Sequence, residues 1–161
     1  MKEILDVFTG KVEISANEII IRALALGSCI AVVAYDAKNR IGGIAHIMLF
    51  GKAPENKNQE ENKYAENAIS NLLSQMQKAG ADKDRMEFCL AGGANVLRRN
   101  DDTIAKKNCD SVRQIAKEKK LNVKAKSLGG TQRRSISLDI STGKVNLSVG
   151  DNDKHIFYVF T

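Results

Sequence analysis

Two side chains in the first third of the chain have the types and the setting for nucleophilic chemistry. Cys29 lies in Ala25-Leu-Gly-Ser-Cys-Ile-Ala-Val-Val33, where Gly27 and Ser28 can bend the backbone ahead of an apolar run and leave a thiol at the bend. His46 follows 17 positions on, in Gly42-Gly-Ile-Ala-His-Ile-Met-Leu49, and the turn-forming stretch Asp36-Ala-Lys-Asn-Arg40 separates the two runs. A hairpin through that turn would make thiol and imidazole neighbours on paired strands. An imidazole beside a thiol lets the sulfur act as thiolate near neutral pH, which attack on an amide or ester carbonyl requires. Backbone N–H groups at the Gly27-Ser28 bend could then hold the oxyanion that forms. Each residue also has a plainer reading, the cysteine as a small buried hydrophobe and the histidine as a hydrogen-bonded core residue.

The elements that must position this pair can be read from periodicity. Val12 and Ile14 alternate with polar neighbours, and Ile19-Ile20-Ile21 leads into Ala23-Leu24-Ala25-Leu26, so the first fifty residues read as strands broken at Gly10, Ala16-Asn17, Gly27 and Asn39. Gly51 to Glu61, with Pro54, has loop composition, and as a mobile flap it could cover a site near His46. Ala65, Ile69, Leu72, Leu73 and Met76 recur at helical spacing, with Gly80 as the stop. A strand over Met86 to Leu90 runs into Gly92-Gly93, and Arg98 to Asp102 is a polar loop. Ala105, Cys109, Val112 and Ala116 mark a second amphipathic helix whose basic end suits the helix dipole. Short strands over Leu121 to Ala125, Ile136 to Ile140, Val145 to Val149 and His155 to Phe160 complete a single domain over residues 1–161, with Ser141-Thr-Gly-Lys144 turning the clearest hairpin.

Composition narrows the function classes. At 161 residues and 43% apolar content the chain fits one globular domain. The apolar runs fall short of the ~20 residues that a spanning helix needs. The N-terminus lacks the long apolar stretch and small-residue cleavage site of a secretory leader, so a cytoplasmic chain without membrane insertion is expected. Cys29, Cys89 and Cys109 are an odd, widely spaced set with no CxxC, which suggests neither a disulfide framework nor a zinc site. No metal or other cofactor is expected, and His155 has no ligand companions nearby in sequence. The charge of +6 is spread among acids, and 5% aromatic content offers no stacking platform, so nucleic acid is not an expected partner. Gly92-Gly93-Ala94-Asn95 lacks the spacing of a phosphate-binding loop and reads as a tight turn near the site. Gly129-Gly130-Thr131-Gln132-Arg133-Arg134 reads as a charged surface loop, with the clamping of an acidic partner as its alternative.

Taken in order, Leu26-Gly-Ser-Cys-Ile-Ala-Val32, Gly43-Ile-Ala-His-Ile-Met-Leu49, Lys63-Tyr-Ala65, Ala91-Gly-Gly-Ala94, Asn108, Gly129-Gly130 and Ser141-Thr-Gly-Lys-Val145 resemble the chemoreceptor glutamine deamidase family, CheD. The resemblance runs over roughly residues 10–149, and its Gly-Ser-Cys and Ala-His-Ile-Met elements are specific when found together. It implies an α/β (α+β) layered sandwich of mixed β-sheets, with two main helices packed on one side, similar to the cytotoxic necrotizing factor catalytic domains. It also implies a protein-glutamine glutaminase of bacterial or archaeal chemotaxis, which converts glutamines of methyl-accepting receptors to glutamate and can bind a CheC-type phosphatase. By motif, Cys29 falls on the family's nucleophile and His46 on its general base and acid. The chain departs at Ala23, where the family has a threonine that orients the histidine; the ring's second nitrogen then needs another partner, such as a backbone carbonyl or water. Phe50, where proline is frequent, and Asn95-Val96-Leu97 are smaller departures. A binding module that engages receptors or the phosphatase without turnover, and a cysteine amidohydrolase with another protein substrate, are the alternatives.

Overall fold

Every residue of Ile30-Ala-Val-Val-Ala-Tyr35 can be buried, so a strand made from it has no solvent face and needs cover on both sides. The computed structural model, which describes residues 1–56, 58–101 and 103–161, supplies that cover in three layers. Lys57, in the expected loop at 51–61, and Asp102, in the expected loop at 98–102, lie outside the described residues.

The central layer is a five-stranded sheet. Strands β2 (Val12–Ser15), β4 (Ile30–Asp36), β5 (Ile41–Ile47), β6 (Glu87–Gly92) and β7 (Val123–Leu128) lie in the order β2-β5-β4-β6-β7. One face carries both helices, α1 (Ala65–Lys78) and α2 (Ile104–Glu118). The other face packs on a second five-stranded sheet, formed by β1 (Ile4–Asp6), β3 (Ile20–Leu26), β8 (Arg134–Asp139), β9 (Lys144–Val149) and β10 (His155–Val159), in the order β1-β3-β8-β9-β10. Each sheet is mixed, with one parallel pair, β6 with β7 and β1 with β3. The layered α/β sandwich with both main helices on one side is therefore the fold of this chain.

Strand β4 shows why the layers form. Ile30, Val32 and Ala34 project toward the helices and meet Ile69, Leu72 and Val112, while Ala31, Val33 and Tyr35 project toward Ile21, Ile136 and Leu138 of the second sheet. Burying a side chain such as Leu72 or Ile69 is worth roughly 1.5–3 kcal/mol, so both faces stabilise the fold. The sheets approach closely at Gly42, where an added Cβ would stand 2.6 Å from Leu138 and 2.7 Å from Ile140.

Two expectations need correction. The segment after Phe50 is not loop throughout, because a 3-10 helix spans Asn58–Lys63 and the Lys63 carbonyl accepts from the N–H groups of Met48 and Leu49. Its first residues are also tied down, Gly51 N–H to Ser111 Oγ and Ala53 N–H to Asn67 Oδ1. These are tertiary bonds, to which composition is blind. Arg134 is no part of a surface loop. It starts β8 with its guanidinium buried, donating to Ser127 Oγ and to the carbonyls of Gly129 and Gln132, and burial lowers its pKa. His155 stands exposed at the start of the edge strand β10.

Candidate active site

The hairpin of β4 and β5 closes through residues 37–40 in a register that pairs Ile30 with Ile47 and Ala31 with His46. Cys29 precedes β4 by one residue and packs with Ala31 in the layer between the two sheets, which is also the side His46 takes. The spacing of 17 residues thus puts thiol and imidazole on one face, at the end of the inter-sheet space.

Residues 7–11, a segment without any motif, cradle the histidine. Gly10 N–H donates to the His46 carbonyl, His46 N–H donates to the Lys11 carbonyl, and the ring Nδ1 lies 2.8 Å from the Val7 carbonyl. A carbonyl only accepts, so Nδ1 carries the proton and Nε2 presents its lone pair. Nε2 stands 3.5 Å from the Thr9 hydroxyl, and the same hydroxyl lies close enough to the Cys29 sulfur to act on its ionisation. Burial lowers the pKa of His46, offset in part by the Val7 bond, and raises that of Cys29, offset in part by the Thr9 bond. The resting pair is therefore neutral thiol and neutral imidazole. Desolvation thus works against the thiolate and the imidazolium alike, so ionisation of the sulfur depends on a base at the moment of attack.

The bend before the thiol is held at three successive carbonyls. Gly27 O accepts from Ala94 N–H at 2.8 Å, Ser28 O from Asn108 Nδ2 at 2.8 Å, and Cys29 O from Gly93 N–H at 2.9 Å. In a trans peptide the N–H points opposite to the C=O, so docking these carbonyls turns the N–H groups of Ser28 and Cys29 the other way. Those two N–H groups therefore face away from the turn on which the Gly27 and Ser28 carbonyls are docked. The Gly92-Gly93-Ala94 turn is thus a clamp on the bend. At Gly92, with φ of 121°, an added Cβ would stand 2.1 Å from the Cys29 carbonyl oxygen.

Asn108, fully buried on α2, closes the arrangement. Its Nδ2 donates to Ser28 O and, at 3.1 Å, to Met48 O, joining the segment before Cys29 to the residues that follow His46 of β5. Its Oδ1 has no partner among the described residues. Asn108→Ala strips two part-buried carbonyls of their donor and should cost about 1–3 kcal/mol, measured by urea unfolding, with loss of activity beyond what instability explains. Ala23 is buried in the inter-sheet layer on β3, opposite Ile136. Because Val7 O already holds Nδ1, Ala23→Thr should give no gain in turnover; a several-fold rise would mean that the ring is poorly held as it stands.

Cys89 and Cys109 are buried, and burial pushes the Cys89 thiol up to about 12, which leaves Cys29 as the accessible thiol among the three. Among the described residues no three His, Cys, Asp or Glu gather as a metal site, and no helix is long and apolar enough to cross a membrane. Val7 and Thr9 were missed by sequence reading. Their only signal was the turn at Gly10, since a backbone carbonyl and a lone hydroxyl have no motif.

The three-layer α/β fold thus holds a thiol and an imidazole on one face, with the Thr9 hydroxyl beside the ring. The chain belongs to the CheD family. The family's sequence model, described as CheD chemotactic sensory transduction, matches residues 48–149, beginning two residues past His46. Whole-chain relatives extend the likeness across the site. The chain is 37% identical to a probable chemoreceptor glutamine deamidase CheD of Methanococcus maripaludis, over 95% of this chain and 99% of that protein. It is 36% identical to another of Chlorobium luteolum, over 94% and 75%, and 32% identical to the chemoreceptor glutamine deamidase CheD of Thermotoga maritima, over 90% of each.

Proposed function

We propose that this chain deamidates glutamine side chains of methyl-accepting chemotaxis receptors, using Cys29 as nucleophile and His46 as general base and acid. The observation that carries the reading is the fixed ring, with Nδ1 held by Val7 O, on the same face between the sheets as Cys29. As the sulfur bonds to the carboxamide carbon, its proton passes toward Nε2 and the carbonyl π pair moves to oxygen, beside the N–H groups of Ser28 and Cys29. The imidazolium returns a proton to the nitrogen, the C–N pair leaves with ammonia, and a thioester remains. Water deprotonated by Nε2 then cleaves the thioester, giving glutamate and the thiol. No cofactor enters any step.

Family membership and the relatives' names support receptors as the substrate. The partners proposed are the cytoplasmic helices of those receptors and, second, a CheC-type phosphatase. A binding module without turnover drew its support from Ala23, and the Val7 carbonyl removes much of that support by holding the ring itself. The test is mass spectrometry of a receptor fragment incubated with the protein. Each deamidation adds about one mass unit, and an unchanged mass with retained binding would leave the binding module as the better account.

A further inference from the structure

The pair has a third member. Thr9 sits in the turn between β1 and β2, two residues after the carbonyl that fixes the histidine ring and one before the amide that holds the His46 carbonyl. Its hydroxyl is 3.5 Å from Nε2 and lies within hydrogen-bonding reach of the sulfur. Since Nδ1 is committed as a donor to Val7 O, Nε2 can only accept at rest, and the one proton of the hydroxyl can serve it. The hydroxyl oxygen is then free to accept from the thiol. Resting thiol and resting imidazole are both neutral, so a proton must cross between them during attack, and a hydroxyl stands in contact with both.

From this geometry we infer that Thr9 relays the proton between Cys29 and His46, and the inference rests on the proposed roles of those two residues. When the sulfur bonds to the carboxamide carbon, the thiol proton moves to Thr9 Oγ1 as the hydroxyl proton moves to Nε2. Threonine is left unchanged, the ring becomes imidazolium, and the sulfur's electron pair forms the new bond. Neither the position of Thr9 nor its contact with Nε2 follows from the missing hydroxyl at residue 23, whose place on Nδ1 belongs to Val7 O. The hydroxyl is half of a built device in which one turn both orients the ring and passes the proton.

The test compares Thr9→Val, which keeps the shape and removes the hydroxyl, with Thr9→Ser, which restores it. Alkylation of Cys29 by iodoacetamide needs no receptor, and the other two cysteines are buried. The expected result is alkylation about tenfold slower in Thr9→Val, with Thr9→Ser within about threefold of the parent. On a glutamine peptide from a receptor methylation helix, Thr9→Val should lower kcat by about 10²-fold with KM little changed, the lower end of what general acid-base catalysis supplies. A proton inventory in mixed light and heavy water should show two protons in flight for the parent and one for Thr9→Val. Alkylation at the parent rate in Thr9→Val overturns the relay, as does equal loss in the serine variant, which would mark a role in shape. If the parent itself leaves the peptide unchanged while alkylation still depends on the Thr9 hydroxyl, the receptor reading fails and the relay stands.

Discussion

Replacing Cys29 by alanine should abolish ammonia release from a receptor fragment, and His46→Ala should lower it by at least 10²-fold. The thioester needs the cysteine sulfur, so its loss removes that route outright. Removing the imidazole leaves the sulfur but takes away the acceptor that makes it nucleophilic, and burial makes that deficit severe. A thiol whose pKa is raised by desolvation ionises little at pH 7 without a neighbouring base. The direction of both shifts also sets the pH dependence. With His46 below its ordinary value, activity should hold at mildly acidic pH, falling only as Nε2 becomes protonated, while alkylation of Cys29 in His46→Ala should need pH above the ordinary thiol value. Cys29 is only partly buried, so its replacement need not unfold the protein, whereas His46→Ala leaves a cavity and an unpaired Val7 carbonyl and should lower the unfolding midpoint. Circular dichroism would check this for the variants. Turnover at the parent rate in both would remove these roles.

Gly92→Ala should be nearly as damaging, although residue 92 touches no substrate. Its φ of 121° is open to glycine alone at low cost, and the strain on any other residue is about 1–3 kcal/mol. The larger effect is steric. A methyl group 2.1 Å from the Cys29 carbonyl oxygen cannot stay without moving either the clamp or the bend. Either motion breaks the Gly93 N–H bond to that carbonyl and swings the Ser28 and Cys29 N–H groups off the oxyanion position. Displacements near 1 Å cost on the order of 10²-fold in rate, so a fall of that size or more in kcat is expected, together with a lower unfolding midpoint. Gly51→Ala is the control. Its φ is 74°, but nothing lies within 4 Å of the added methyl, so it should cost stability alone. Equal activity in the two variants would show that the clamp does not matter.

Much of the scaffold was legible because its signals are local. The alternation at Val12 and Ile14, the helical spacing from Ala65 to Met76 and the Ser141-Thr-Gly-Lys144 turn each carry their own periodicity, and each element formed where that pattern placed it. The Cys29 and His46 pairing was legible for the same reason, since two strands and a short turn between them leave few registers that bury both faces of β4. The 3-10 helix at Asn58–Lys63 and the buried Arg134 were not. Each depends on backbone partners far along the chain, which no window of sequence contains.

What the sequence determined by itself is the hairpin of β4 and β5, with a thiol before one strand and an imidazole on the other, and the family to which the chain belongs, all of which follow from residue type and short-range spacing. Only the tertiary structure decided how those groups behave. The packing of two sheets removes water from the thiol and the ring and so keeps both neutral. It also brings in Val7, Thr9, Gly93 and Asn108, between 20 and 80 residues from their partners. Hydrogen bonds and desolvation act through space, and the chain carries no local mark of where they will fall.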